Sequence, residues 1–182
     1  MIRILCLGNE LLADDACGHV AAGRLRELFP QLDVVFTPDS GFHLIDYLSG
    51  IQLLIVIDTI QTGAVPPGTL YVMRGSDIKS PSGPSPHYVG LFETLQLAKK
   101  LLHNVPQEVF ILAVEAADCL TLGGEMHAAV KSAVELVAEL VQQIVQDWKP
   151  FSPEHGQDSA DVLKRAVATV SARWGPERLV VI

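Results

Sequence analysis

The chain has 182 residues, 49% hydrophobic and 19% charged, with 21 acids against 13 bases and a formal charge of −8. That length suits one domain with room for an appendage, and the apolar content suffices for a sizeable core. An acidic chain without a basic stripe is a poor partner for nucleic acid or an anionic membrane. No apolar run approaches the ~20 residues of a membrane-spanning helix, and no basic-then-apolar leader opens the sequence, so the cytoplasm is the expected compartment. The three cysteines, Cys6, Cys17 and Cys119, are odd in number and widely spaced, which argues against a disulfide framework or a zinc knuckle.

In chain order, Ile2–Leu7 is a short apolar run that reads as a buried strand. A Gly-containing loop follows, then a helix whose apolar residues recur from Val20 to Phe29 and which Pro30 ends. Leu32–Thr37 reads as a second strand, Pro38–Gly41 as a turn, and Phe42–Leu48 as a short helical stretch stopped by Gly50. Leu53–Ile57 is continuously apolar, as a central strand covered on both faces should be, and it ends at Asp58-Thr59. A turn over Gly63–Gly68 leads into a strand over Thr69–Arg74, and its Pro66-Pro67 pair allows one antiparallel neighbour. Residues 75–86 are rich in Gly, Ser and Pro and read as a loop, with His87 starting a helix to about Leu102. Glu108–Glu115 is the last core strand, and Gly124–Trp148 is an amphipathic helix laid on the sheet.

A Pro-x-x-Pro break at Pro150–Pro153 then separates a domain over 1–149 from an extension over 150–182. The acidic excess lies entirely in the first part, with 17 acids and 9 bases, against 4 of each in the second. The extension carries Leu163, Val167, Val170 and Trp174 on one helical stripe, then Gly175-Pro176 and an apolar end, Leu179–Ile182. Strands alternating with helices predict a three-layer α/β sandwich, with a mostly parallel twisted sheet of about five strands and helices on both faces.

The chemistry concentrates where strands end. Asp14 and Asp15 open the first helix, and one acid suffices for a cap, so the second needs another explanation. In an open α/β sheet the carboxyl ends of neighbouring strands line one crevice. Asp15 after the first strand and Asp58 at the end of the third should therefore converge, and the loop before His87 can swing that imidazole over the same edge. Two carboxylates and one imidazole make an open O/N set for a divalent transition metal such as zinc or nickel. Each also has a plainer reading: Asp58 accepting backbone hydrogen bonds, His87 capping a helix on the surface. Asp14 reads as the helix cap, Asp39 as a residue that shapes the crevice floor through a turn bond, Cys6 as core, and Cys119 as packed against a loop. Cys17 lies near the crevice without a paired base, which disfavours a thiol nucleophile. His19, His103, His127 and His155 show no ligand spacing.

Gly8-Asn9-Glu10-Leu11-Leu12-Ala13-Asp14-Asp15, the strand-end Asp58 and Ser85-Pro86-His87-Tyr88-Val89-Gly90-Leu91 together resemble the nickel–iron hydrogenase maturation endopeptidases, in order, over about residues 2–147. That family opens on G-N-x-L-x-x-D-[DE]-x-x-G. One departure is Asp39-Ser40-Gly41, where the family has an Asp-Gly-Gly-type turn. The resemblance implies an α/β sandwich that removes a short C-terminal peptide from the precursor of a hydrogenase large subunit. It implies further that Asp15, Asp58 and His87 recognise nickel carried by that precursor, with zinc or cadmium able to take the site in vitro. The partner expected is the large-subunit precursor, and the chain itself is expected to be a monomer. A non-cleaving metallochaperone or checkpoint protein would use the same three ligands, and it is the alternative reading. A nucleotide-binding domain is disfavoured, because Leu7–Leu12 lacks the glycines that let backbone approach a pyrophosphate. No serine or cysteine triad is visible, so the residues that perform catalysis are not assigned.

Overall fold

Period-two alternation along the strands decides how this chain is layered. The structure, a computed structural model, describes residues 1–76, 88–102, 104–149 and 159–182. Six strands are present: β1 (Ile2–Leu7), β2 (Asp33–Thr37), β3 (Leu53–Ile60), β4 (Leu70–Arg74), β5 (Glu108–Glu115) and β6 (Leu179–Val181). The helices are α1 (Cys17–Leu28), α2 (Tyr88–Leu101), α3 (Ala128–Asp147) and α4 (Ser159–Trp174), with 3-10 segments over Asp14–Ala16 and Gly41–Tyr47. Ile4, Cys6, Ile55, Ile57, Phe110 and Leu112 face one way and pack with α1, α3 and α4. Leu5, Leu7, Leu54, Val56, Ile111 and Ala113 face the other way, with Leu44 and Leu48 of the 3-10 region and Leu91 and Ala98 of α2. Both faces being covered is why β3 reads as an unbroken apolar run.

The sheet order is β2-β1-β3-β5-β4-β6. β1 is parallel to β2 and β3, β3 is parallel to β5, β4 is antiparallel to β5, and β6 is parallel to β4. The three-layer, mostly parallel sandwich expected from the sequence is therefore the fold found, with the antiparallel neighbour that the Pro66-Pro67 turn allowed.

Several boundaries differ from the sequence expectation. The sheet has six strands rather than about five, because the apolar end Leu179–Val181 pairs with β4 as an edge strand. β3 runs on to Ile60, so Asp58 sits within the strand and not past its end. α1 begins at Cys17, and Asp14 and Asp15 occupy the 3-10 turn ahead of it. α3 begins at Ala128 rather than Gly124, with His127 as its N-cap accepting from the Ala129 N–H. Positions 77–86 of the loop expected over 75–86, His87, and the break at Pro150–Pro153 lie outside the described residues.

The described part of the C-terminal segment builds into the same core. Val162, Leu163, Ala166 and Val170 of α4 are buried with the α3 side chains, and the Trp174 indole donates to Glu139 at 2.8 Å. Each of the Val and Leu side chains contributes about 1.5–3 kcal/mol on burial, and a domain's net stability is only about 5–15 kcal/mol. Truncation after Lys149 removes this layer and uncovers the outer edge of β4. The expected outcome is a thermal midpoint lowered by more than about 10 °C, or an insoluble product, measured by circular dichroism and sedimentation.

Candidate functional site

The strand order sets the site's position. β1 leads to β2 on one side, and the chain then returns to place β3 on the other side of β1. A crevice opens at such a switch point, beyond the carboxyl ends of the strands. Here it is deepened because β1 ends first. The last β1–β3 pair is Cys6↔Ile57, whereas β3 continues beside β5 through Asp58↔Ala113 to Ile60↔Glu115. Asp58 therefore stands one position beyond the end of that pairing, facing the loop that leaves β1.

Two glycines let that loop close tightly. Gly8 has φ +140°, and a Cβ there would lie 2.2 Å from the Asp15 carbonyl oxygen. A Cβ at Gly18 would lie 1.9 Å from the Leu7 carbonyl oxygen, so the start of α1 rests on the end of β1 through glycine alone. Asn9 completes the turn, its side-chain oxygen accepting from the Leu11 N–H at 3.0 Å. The spacing of the opening motif is thus a set of contact requirements.

Asp14 does not cap α1, whose N-cap is Ala16 with no side-chain bond. The Asp14 side chain, 1% exposed, instead accepts three backbone N–H bonds from elsewhere in the chain. Oδ2 takes those of Ala117 at 2.7 Å and Asp118 at 2.9 Å, and Oδ1 takes that of His127 at 2.6 Å. The carboxylate joins the β1–α1 loop to the loop between β5 and α3, and to the start of α3 itself.

Asp15 and Asp58 do converge. The Asp15 carboxylate accepts from the Asn9 N–H at 2.8 Å through Oδ2 and from the Thr59 hydroxyl at 2.8 Å through Oδ1. Asp58 Oδ1 accepts from the Thr59 N–H at 2.8 Å. One residue, Thr59, therefore serves both carboxylates, and they are 5% and 0% exposed. Thr59 is a site residue beyond the expected set, and its one sequence signal is its place directly after Asp58. His87, the third member of the expected set, lies outside the described residues, and among the described residues no three His, Cys, Asp or Glu side chains form a metal-holding group.

The thiols near this crevice are held protonated. Burial pushes Cys17 up to about 12, helped by the charges of Asp14 and Asp58. Burial likewise raises Cys119 to about 11, although its sulfur lies 3.8 Å from the Thr59 hydroxyl. Burial drives Cys6 higher still, as befits a core residue in β1. Asp39 receives the Tyr47 hydroxyl at 2.7 Å, and that bond holds its carboxyl below the usual range. Glu115, the last residue of β5, is 1% exposed. It accepts from Thr62 N–H and hydroxyl and from Gly63 N–H, which fixes the loop after β3.

Fold and site together define a doubly wound α/β protein with an acid-lined crevice at its switch point. Within that class, the family model described as hydrogenase maturation protease matches residues 24–144, and the chain belongs to that family. It is accordingly an endopeptidase of hydrogenase maturation. The hydrogenase expression/formation protein HupD of Bradyrhizobium diazoefficiens is 28% identical over 153 residues, covering 81% of this chain and 79% of HupD. Among solved structures, the maturating endopeptidase HybD of E. coli superposes with a TM-score of 0.69 at 22% identity, covering 80% of this chain and 92% of that one. The maturation protease HybD of Thermococcus kodakarensis gives 0.66 at 26% identity, covering 79% and 97%. No helix among the described residues is long and apolar enough to cross a membrane.

Two measurements test the local chemistry. A helix cap tolerates Asn as well as Asp, but an anchor that uses both oxygens does not, because the amide nitrogen would confront an N–H donor. Asp14→Asn should therefore cost about 3 kcal/mol, seen as a thermal midpoint lowered by about 10 °C. At pH 7 a thiol titrating near 12 is ionised in about one molecule in 10⁵, so Cys17 should resist iodoacetamide in the folded chain and react after guanidinium unfolding, read by mass spectrometry.

Proposed function

We propose that this endopeptidase removes a short C-terminal peptide from the nickel-loaded precursor of a nickel–iron hydrogenase large subunit, and that Asp15, Asp58 and His87 bind the nickel the precursor carries. The observation that carries this reading is the pair of buried carboxylates sharing Thr59 at the switch-point crevice. Two buried acids bonded to the same residue in a low-dielectric site would build a negative potential that a divalent cation relieves. Their orientation is set before substrate arrives: the Asn9 N–H and the Thr59 hydroxyl fix Asp15, and the Thr59 N–H fixes Asp58. Carboxylate and imidazole donors suit nickel. The HupD and HybD relatives are named for hydrogenase formation and maturation, which supplies the substrate class.

In this reading the metal belongs to the substrate, and the protein reads it. Docking the nickel against Asp15 and Asp58 brings the adjoining C-terminal segment to one position in the crevice, which converts the search for a scissile bond into a positioned encounter. A divalent ion there also polarises a peptide carbonyl. Zinc and cadmium, which accept the same donors, are the expected occupants of the free site in vitro.

Precursor cleavage, followed by mass spectrometry with and without nickel, tests the reading. Asp15→Asn, Asp58→Asn and His87→Ala should each lower cleavage by about a hundredfold or more. Cys17→Ser should cleave as the unaltered chain does. Cadmium binding by calorimetry should weaken in the same three variants. Undiminished cleavage of a nickel-free precursor, or full activity in Asp58→Asn, would overturn it.

A further inference from the structure

Leu120 and Leu122 are 82% and 73% exposed, more than any other large apolar side chain among the described residues, and Leu11 is 60% exposed. They lie on the two loops that wall the crevice, the one after β1 and the one between β5 and α3. These loops are bonded to each other. Leu12 and Leu122 form an antiparallel bridge, the Gly123 N–H donates to the Leu11 carbonyl at 2.8 Å, and the Ala13 N–H donates to the Thr121 carbonyl at 3.1 Å. The Asp118 carboxylate accepts from the Leu120 and Thr121 N–H groups, and the Asp14 carboxylate holds Ala117, Asp118 and His127 from beneath. The backbone that carries these exposed leucines is thus bonded at several points.

Their surroundings are acidic. Glu10, Asp118 and Glu125 stand on the same two loops, and neither 9–18 nor 115–127 contains a lysine or arginine. An apolar centre with a polar surround is the anatomy of a protein–protein contact surface. A pre-ordered patch of this kind also spares its partner the entropy of ordering it.

We propose that Leu11, Leu120 and Leu122 form the docking ridge for the folded precursor, which meets them with an apolar patch edged by basic side chains beside its C-terminal segment. This rests on the processing reading, and continuity with the crevice identifies the occupant. A folded substrate that delivers a metal and a peptide bond to Asp15 and Asp58 must stand over the loops that flank them. The ridge extends recognition from the metal to the body of the substrate.

Steady-state cleavage separates the two. The double variant Leu120→Ser/Leu122→Ser should raise KM by about tenfold and leave kcat within about twofold, because an exposed anchor contributes to docking and not to the chemical step. Leu11→Ser, on the other loop, should move KM in the same direction. Leu101→Ser, as exposed as Leu11 but at the end of α2, should leave KM unchanged, and thermal unfolding should be unaltered in all of them. Raised salt should raise KM for the unaltered chain through the acidic rim. A wild-type KM in the double variant, or a fall in kcat at constant KM, overturns the ridge alone. Failure of the unaltered chain to cleave the precursor overturns the processing reading and the ridge with it. Gel filtration showing a dimer that the double variant breaks would assign the ridge to a second copy and overturn the proposal.

Discussion

The crevice edge of this molecule is tied together by one buried carboxylate, that of Asp14. Asp14 gathers three backbone N–H groups from residues 103, 104 and 113 positions further along the chain. Those donors lie in a loop that has left the sheet, where no strand partner meets them, and a carboxylate accepting several N–H bonds makes charge-assisted bonds stronger than neutral ones. By meeting them, Asp14 gives the segment between β5 and α3 a shape without a regular element to impose one. The neighbouring residue, Asp15, bonds the Asn9 N–H and the Thr59 hydroxyl instead, and stands where β3 outlasts β1.

That mismatch in strand length creates the site. Where two parallel strands end together, their carboxyl edge is flat and a following loop covers it. Here β3 extends past β1, so Asp58 is flanked by β5 on one side and by loop on the other. Thr59 then serves as a hinge point between acids, its hydroxyl bonded to Asp15 and its N–H to Asp58. The glycines at 8 and 18 follow from the same compression, since each lies within 2.2 Å, counted from a hypothetical Cβ, of a carbonyl that would otherwise be displaced. Site rigidity and loop packing are thus one property.

Much of the architecture was legible because it follows from periodicity. An apolar run covering both faces announced β3, and a three-and-four spacing announced α3. The residues that misled were those whose role is set by a distant partner. Two acids before a helix look like a cap, and nothing local tells that Asp14 bonds to Ala117 and His127 instead. Gly124–Met126 carried a helix-like pattern, yet the chain starts α3 only where His127 caps it. The edge strand β6 was read only as an apolar end, because three residues show no alternation that separates strand from coil. Of the expected ligand set, the crevice made by Asp15 and Asp58 followed from topology. Thr59, which joins them, carries no sequence signature beyond adjacency.

The state of the thiols bears on how the proposed metal reading works. A site meant to sense nickel in another protein must bind it well enough to orient the substrate and weakly enough to leave it there. Thiolates bind nickel far more strongly than carboxylates or a single imidazole, and two cysteines stand close to the crevice. Burial, reinforced by the neighbouring carboxylates, keeps Cys17 near 12 and Cys119 near 11, so neither presents a thiolate at neutral pH. In the proposed reading, the same acids that would attract the cation also oppose ionisation of the groups that would strip it from the precursor. An oxygen-and-imidazole contact can be made and broken with each substrate, which is what a processing enzyme requires of a mark it reads and does not keep.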